Sequence, residues 1–274
     1  MAQVMVTRPA VRTGARLRRA GRAEAFIVPV VLLALWETAS RAGLVQAYLL
    51  PPPSAVVAYL ASALLSGELV THVAVSVMRV LAGFSAGVAL ALPAAVAVGL
   101  SPRAERLLDP TLQAIRGIPS LAWVPLLLLW MGIDEAPKVT LIAIGAFFPF
   151  YLNLVAGIHG IDRKLVEVGR VQGLSQLQII RHILLPGALP SALTGLRAGM
   201  NMAWLFLVAA ELIAGTRGLG FLLTDGRELS RADIVLGAIL LLALLGKFFD
   251  GILKVLENRL LRWRDSLKEA KADA

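Results

Sequence analysis

Six long apolar windows constrain this 274-residue chain more than any other feature of its sequence. A transmembrane helix needs about 20 mostly apolar residues to cross about 30 Å of hydrocarbon, and each window has about that length. Apolar residues make up 58% of the chain, whereas a soluble domain contains about 45–50%. We therefore predict an all-α polytopic membrane protein with about six transmembrane helices. The windows are Phe26–Leu44, Val75–Leu100, Pro110–Met131, Val139–Ile158, Ser191–Ile213 and Ile234–Leu256.

Basic residues at the ends of these windows and in the segments between them are distributed unevenly between the two sides of the predicted membrane domain. The termini and the loops on their side carry 18 Lys and Arg residues, whereas the opposite loops carry 5. Because such residues concentrate on the cytoplasmic side, we predict both termini in the cytoplasm. The chain then divides into a basic N-terminal segment 1–25, a transmembrane domain 26–256 and a cytoplasmic tail 257–274. The basic excess is explained by this topology and does not require nucleic-acid binding.

Residue patterns that carry covalent chemistry are missing from the sequence. No Lys is followed by Ser or Thr, so the chain lacks a phosphate-binding Walker loop. It has no cysteine, and its three histidines are scattered. Nothing in the sequence positions Ser120, His159 and Asp162 as a catalytic triad. We therefore expect neither an enzyme nor a chain that binds a metal or cofactor of its own.

One loop, residues 161–190, contains a stretch that is half polar although apolar windows flank it on both sides. Apolar residues recur at helical spacing before and after Gly173, which breaks the pattern. Ser175 is placed to cap a second helix, and Pro186 is placed to end it. We predict two short helices on the cytoplasmic side, with their apolar face toward their own bundle. The apolar positions are Ile161, Leu165 and Val168, then Leu177, Ile180 and Leu184.

Two interpretations of this loop remain open on physical grounds alone. An amphipathic helix can lie on lipid headgroups, or it can dock onto a cytoplasmic partner. The loop is long for a connection between helices of a bundle, which usually has about 2–8 residues. It also lacks the face rich in Lys and Arg that a surface-bound helix needs. Both observations favour docking.

The loop resembles the EAA loop of ABC-importer permeases, written E-A-A-x3-G-x9-I-x-L-P. The fixed positions that match, with every spacing kept, are Glu167, Gly173, Ile183, Leu185 and Pro186. The two alanines of the motif are replaced by valine and glycine. In that family the loop forms coupling helices that insert into a cleft on the ATPase subunit. The resemblance therefore assigns ATPase coupling to these five residues and to the predicted cap Ser175, and we call residues 161–190 the coupling loop.

Further stretches are similar to the aliphatic sulfonate, taurine and nitrate branch of that family, and most of all to aliphatic sulfonate permeases. The resemblance covers roughly residues 26–265. It implies a homodimer in the bacterial inner membrane, two cytoplasmic ATPase subunits that bind the ATP, and an external substrate-binding protein. The stretches are Leu107–Pro119, Trp130–Lys138, Ala143–Pro149, Leu185–Pro190, Ala209–Gly215 and the tail from Ala243 to Arg264.

Import by alternating access is the implied mechanism, with an aliphatic sulfonate as the expected cargo. Taurine, nitrate or another small solute is the alternative cargo. A secondary transporter is the alternative class, but it would usually carry inverted repeats and its own ion site. We find no internal repeat in the sequence.

Polar residues inside the windows are the candidates for contact with cargo. Glu211 is predicted either to hydrogen-bond a neighbouring helix or to line the pathway, because a carboxylate in a membrane span needs a partner or a cavity. Arg116 either extends to the cytoplasmic headgroups or contacts an anionic substrate, and Ser120 offers a hydroxyl group. Arg79 and Arg197 are predicted to be anchors at the ends of spans.

Overall fold

The computed structural model describes residues 14–263, and this part of the chain is almost entirely helical. A 3₁₀ turn, Ser120–Trp123, precedes α5, and a π turn, Ile180–Leu184, joins α8 to α9. The predicted all-α class is confirmed. Residues 1–13 of the basic N-terminal segment and residues 264–274 of the tail lie outside the described residues. The helices are α1 (Gly14–Arg41), α2 (Pro53–Leu65), α3 (Glu68–Leu100), α4 (Pro102–Gly117), α5 (Val124–Met131), α6 (Glu135–His159), α7 (Arg163–Val171), α8 (Gln176–Ile179), α9 (Leu185–Ala214), α10 (Leu219–Glu228) and α11 (Ala232–Leu260).

Four helices are long and apolar enough to cross a membrane: α3, α6, α11 and the continuous helix Gln176–Ala214 that contains α9. The bent pair Pro102–Gly117 and Ser120–Met131 adds a fifth pass if it is counted as one broken span. Adding α1, whose apolar side chains from Ile27 to Leu35 are largely exposed, gives the predicted number of about six. In these long helices only 17–44% of the most apolar stretch is buried within the single chain, which leaves broad apolar surfaces for lipid or a partner.

The third predicted span is not the straight helix that the apolar window suggested. Its two halves meet at an angle of 88°. Ile118 has the extended backbone (ψ of 123°) that a following proline imposes, and Gly117 ends α4 immediately before it. The Gly-Ile-Pro sequence is therefore the physical cause of the break.

The core of the bundle consists of α3, α6 and α9. Glycines on α3 contact α6 at a constant offset, Gly83 against Ile142 and Gly99 against Ile158, so these two helices run parallel. Gly195 and Gly157 place α9 antiparallel to α6, against Phe150 and Ser191 respectively. Small residues let helix backbones approach closely in membranes, which explains why glycine occupies these contacts.

This arrangement gives the bundle two distinct ends. At one end α6 leads into the coupling loop and α9 leads out of it, and we call this the loop end. At the other end, which we call the far end, α3 and α6 begin and α9 finishes. The far end is closed by α2, α10 and the start of α11, which share a buried cluster. The members of that cluster are Ala63, Leu69, Leu219, Leu222, Ile234 and Ala238.

The start of α2 is capped by a residue from another helix. The Ser54 hydroxyl group does not cap α2. Instead, the Glu37 carboxylate of α1 accepts hydrogen bonds from the Ser54 backbone N–H at 3.1 Å and from its hydroxyl at 2.8 Å. Arg41 in turn donates to Glu37. The carboxylate thus satisfies an N–H group at the positive end of the α2 dipole.

Candidate functional site

The coupling loop begins with α7, which is capped by its own preceding residue. The Asp162 carboxylate accepts a hydrogen bond from the Lys164 backbone N–H at 2.9 Å. The helix ends in a tight turn in which the Leu174 N–H donates to the Gly169 carbonyl at 3.0 Å. Gly173 lies in this turn with φ of +78°, a left-handed conformation that glycine adopts without cost. The predicted break at Gly173 is confirmed.

Ser175 begins the second short helix with a reciprocal pair of hydrogen bonds. Its hydroxyl accepts from the Gln178 N–H, and the Gln178 side chain accepts from the Ser175 N–H at 2.8 Å. This capping box satisfies two backbone donors that a helix start leaves free. Ser175 was predicted as a cap from its position after Gly173, and the structure confirms that geometry.

Packing within the coupling loop involves residues other than those the helical spacing predicted. A Cβ added to Gly169 would lie 2.8 Å from the Ile183 side chain, so α7 and the π turn are in close contact. Ile179 is buried beside them. The predicted inward orientation of Leu165, Val168 and Leu177 is wrong, because all three are more than half exposed. Helical spacing finds an apolar face, but it does not say which neighbour covers that face.

The exposed apolar residues form a surface on the outside of the coupling loop. Val171 and Leu177 are 89% and 73% exposed, the highest values in this surface. Fully burying one such side chain contributes about 1.5–3 kcal/mol. A surface of this kind on a loop outside the membrane is typical of a docking site. We call it the docking surface; its members are Leu165, Val168, Val171 and Leu177.

Pro186 does not end the helical unit, which corrects the prediction from its position. The chain continues from Gln176 to Ala214 as one helix of 39 residues. Pro186 has no N–H, and just before it the Leu185 N–H donates to the Ile180 carbonyl five residues earlier. The π turn thus accommodates the proline within the first turn of α9. Of the matched motif residues, Ile183 is partly buried and the others are exposed: Glu167, Gly173, Leu185 and Pro186.

Glu211 lies at the far end of the bundle and is 1% exposed. Its carboxylate accepts from the Arg79 guanidinium at 2.8 Å, from the Ser76 hydroxyl at 2.8 Å and from the Gly220 backbone N–H at 2.7 Å. These bonds join α3, α9 and the start of α10. The contacts support the first of the two interpretations of Glu211, a hydrogen bond to neighbouring helices.

Arg79 is the centre of a cluster that also contains Glu211, Glu135 and Lys138. The predicted role of Arg79 as an anchor at the end of a span is therefore wrong. Its side chain is 4% exposed. Besides Glu211, it binds Glu135 of α6 through two nitrogens, Nε at 2.6 Å and Nη2 at 2.5 Å. Lys138, also buried, donates to the same Glu135 carboxylate at 3.0 Å. This cluster could not be predicted from the sequence, because its ion-pair partners lie 3 to 132 residues apart in the chain. The one signal was their location near the ends of predicted spans.

The turn between α9 and α10 is built around Glu211. The Gly218 N–H donates to the His72 ring at 3.0 Å, and the Leu219 N–H donates to the Ser76 hydroxyl at 2.8 Å. Gly218 has φ of +122°, and any Cβ there would collide with the Glu211 carboxylate. Arg217 accepts at its carbonyl from Arg79 while its side chain remains exposed. The backbone of this turn is therefore fixed by buried hydrogen bonds, whereas the Arg217 side chain faces solvent.

Two pockets open at the far end. One, of about 470 Å³, is lined by Arg79, Glu135, Thr216 and Arg217 together with two apolar residues of α3. The other, of about 540 Å³, lies among α9, α10, the start of α11 and the loop before α2. Near it Arg231 lies 5.4 Å from the ring of Tyr59, and its hydrogen bond to Asp233 raises the pKa of Arg231.

The remaining pathway candidates lie elsewhere. Arg116 is exposed in the last turn of α4, and Ser120 is partly buried in the 3₁₀ turn after the break. An apolar pocket of about 280 Å³ between α3, α4 and α6 lies next to them, lined by Trp123, Phe147 and Phe148 among others. Within residues 14–263, no side-chain hydrogen bond joins Arg116 or Ser120 to Glu211.

Arg197 connects two helices rather than anchoring one to headgroups. It donates to Asp250 and Glu257 of α11, at 3.0 Å each. In the part of the chain that the structure describes, no group of three or more His, Asp and Glu side chains could hold a metal ion.

A bundle with four or five helical passes of membrane-spanning length, and with a capped helical loop at one end, fits the architecture of a transport permease. The chain belongs to the family described as the binding-protein-dependent transport system inner membrane component, whose model matches residues 80–262. It is therefore the permease subunit of an ABC importer and not an enzyme.

Relatives of this chain include proteins named as sulfonate and taurine transport permeases. Aliphatic sulfonates transport permease proteins SsuC from Bacillus subtilis (strain 168) and Escherichia coli (strain K12) are 41% and 44% identical. The alignments cover 94% and 91% of this chain and 93% and 95% of those proteins. The taurine transport system permease protein TauC of Escherichia coli (strain K12) is 35% identical over 87% of this chain and 88% of its own length.

A solved structure shares the fold. An inward-facing conformation of the MetNI methionine ABC transporter includes a chain that superposes with a TM-score of 0.55 at 20% identity. The match covers 68% of this chain and 91% of that chain. This likeness supports the arrangement of the helices and carries no information on cargo.

Proposed function

We propose that this chain imports aliphatic sulfonates across the bacterial inner membrane as a homodimer driven by two ATPase subunits. The observation that carries the proposal is the coupling loop, which keeps the spacing of the five matched motif residues, places Gly173 in a left-handed turn and caps the following helix with Ser175. The names of the SsuC relatives support the cargo. An external binding protein delivers the substrate, and both termini lie in the cytoplasm.

The docking surface is the proposed contact with the ATPase. Its four apolar side chains are exposed in the single chain and are held in place by the capped turns around Gly173 and Ser175. Burying them in a cleft on the partner would stabilise the complex through the hydrophobic effect. ATP binds to the partner subunits, and closing of those subunits brings the two coupling loops of the homodimer together.

The pathway itself is proposed to lie near the broken third span. Arg116 and Ser120 flank the break between α4 and α5, next to the apolar pocket. A small sulfonate has a permanent negative charge, so a guanidinium and a hydroxyl group are suitable contacts. Glu211 takes a supporting role, because its carboxylate already accepts hydrogen bonds from three donors: Ser76, Arg79 and the Gly220 N–H.

Deletion of the gene and growth on defined sulfur sources tests the cargo. We expect the deletion strain to fail on ethanesulfonate as sole sulfur source and to grow normally on sulfate. The intact gene restores growth, whereas the uncoupled Gly173→Val variant does not. Normal growth on ethanesulfonate, with a defect on taurine or nitrate instead, would refute the sulfonate assignment and leave the permease class intact.

A further inference from the structure

Two buried cations at the far end converge on one carboxylate that is itself half exposed. The Arg79 and Lys138 side chains are 4% and 5% exposed, whereas Glu135 is 54% exposed. Three nitrogens donate to Glu135: Nε and Nη2 of Arg79, and Nζ of Lys138. Within residues 14–263 the Lys138 ammonium donates to no other side chain.

The charges inside the cluster do not balance without Glu135. Glu211 is wholly buried and compensates one of the two cations. The second positive charge is compensated by Glu135 alone, which lies in the first turn of α6. An unpaired buried charge is costly, so an anion at this position is strongly favoured. Glu135 is the member of the cluster with solvent on one side and room to rotate away.

Room for another anion lies directly beside Glu135. The pocket of about 470 Å³ is lined by Arg79 and Glu135, and its rim carries the exposed residues Thr216 and Arg217. Arg217 adds a third positive charge at the entrance. The turn that bears these two residues is fixed by hydrogen bonds to His72 and Ser76, so the rim is preformed.

We propose that this far-end pocket is a binding site for a small organic sulfonate, in which Glu135 is displaced by the ligand. The proposal rests on the function proposed above, because that function makes the far end the external side where cargo arrives. A sulfonate has three acceptor oxygens, and the displaced carboxylate leaves three donor nitrogens on Arg79 and Lys138. The exchange keeps the charge of the cluster constant, so Glu135 holds the site closed until an anion replaces it.

A cysteine on the rim measures occupancy without depending on transport. The chain has no native cysteine, so Thr216→Cys is a unique label site. The full-length Thr216→Cys permease, assembled with its ATPase subunits in nanodiscs, is treated with neutral methyl methanethiosulfonate, and the modification rate is measured. We expect saturating ethanesulfonate to slow the reaction at least about fivefold. Ser66→Cys, exposed elsewhere at the same end, is the control and should react at an unchanged rate.

Glu135→Gln sharpens the test because it removes the competing charge while keeping the shape of the side chain. In the Thr216→Cys background we expect it to lower the ethanesulfonate concentration for half-protection about tenfold, and Glu135→Asp to restore the original value. Ethyl methyl sulfone, a neutral analogue, should not protect. If Glu135→Gln impairs folding, the protection measured with Thr216→Cys alone decides the question.

Uptake and protection together distinguish a failure of the proposed binding site from a failure of the proposed transport function. Sulfonate uptake by the unmodified complex without any protection of Thr216→Cys would overturn the site and leave the function. Protection without sulfonate uptake would support the site and refute the function. Equal protection by potassium chloride at the same concentration, or by ethyl methyl sulfone, would overturn the assignment of a sulfonate as the ligand.

Discussion

Gly173 has a left-handed backbone, and open space surrounds the position where a Cβ would lie. A side chain there therefore meets no steric clash, and its whole cost is backbone strain. Gly43, in the loop between α1 and α2, has a similar φ of +72° and similar open space, but it lies far from the coupling loop in sequence. Substitutions at the two glycines therefore distinguish the effect of backbone strain itself from the effect of strain within the coupling loop.

Gly173→Val is expected to uncouple the permease from its ATPase. The strain of about 1–3 kcal/mol displaces the turn that orients the docking surface. ATPase subunits should co-purify weakly with the variant, and ATP-driven uptake should be lost, while membrane insertion is unchanged. Gly43→Val carries equal strain and should keep both activities; its loss of ATPase binding would mean that the strain, not its location, was responsible.

Glu211→Gln tests the buried end of the cluster. Breaking a buried ion pair costs up to about 3–5 kcal/mol, because the Arg79 charge loses its fully buried partner. The midpoint temperature of thermal unfolding in detergent should fall clearly. Glu257→Gln removes a partner of Arg197 from a pair that is only partly buried, and should cost at most about 1 kcal/mol. Similar midpoints for the two variants would contradict the structural role of Glu211.

Residues with a local reason for their position could be predicted, and residues with a distant partner could not. Gly173 and Ser175 follow from turn and cap chemistry within four residues of chain. Arg79, in contrast, looked like a headgroup anchor because its partners, Glu135 and Glu211, come from two other helices. The cap of α2 has a distant partner of the same kind, because the carboxylate that accepts from the Ser54 N–H is on α1.

Among the helices, α3 and α6 depend on glycine for their close contact. A Cβ on Gly83 would lie 2.6 Å from two carbons of Ile142 and 2.8 Å from the Val139 carbonyl oxygen. Either the helices must separate or Ile142 must move. A glycine in α11, Gly251, has the same helical conformation and nothing within 4 Å of its Cβ position.

Gly83→Ala is therefore expected to destabilise the bundle by about 1–3 kcal/mol through overpacking. Gly251→Ala should be neutral or stabilise the protein by roughly 0.5–1 kcal/mol, because alanine favours helix. Thermal unfolding of the two variants in the same detergent compares them directly. An unchanged midpoint for Gly83→Ala would show that α3 and α6 are not in the close contact described.

The length of apolar windows predicted the helices well, because crossing a membrane requires a fixed number of apolar residues. The window Pro110–Met131 did not predict a straight helix correctly, because average hydrophobicity takes no account of the local effect of Pro119 on the backbone of Ile118. The length of the windows also could not show that α3 and α6 are parallel neighbours, since that depends on which glycines meet.

For the whole molecule, the distribution of basic residues predicts the loop end in the cytoplasm and the far end outside. Ser175 and Ser66 are exposed at opposite ends and can be replaced individually by cysteine. In intact cells, an impermeant thiol reagent should label Ser66→Cys and leave Ser175→Cys unlabelled until the membrane is permeabilised. The reverse pattern would require both termini to be external.

The single helix from Gln176 to Ala214 connects the two ends of the molecule without interruption. At 1.5 Å per residue its 39 residues span about 58 Å, nearly twice the thickness of the hydrocarbon. It begins in the coupling loop, holds Glu211 near its other end, and is gripped between them by α6. In the homodimer proposed above, ATPase closure that draws the loop ends together would move the far ends apart, so that opposite gating of the two sides would follow from the stiffness of one helix.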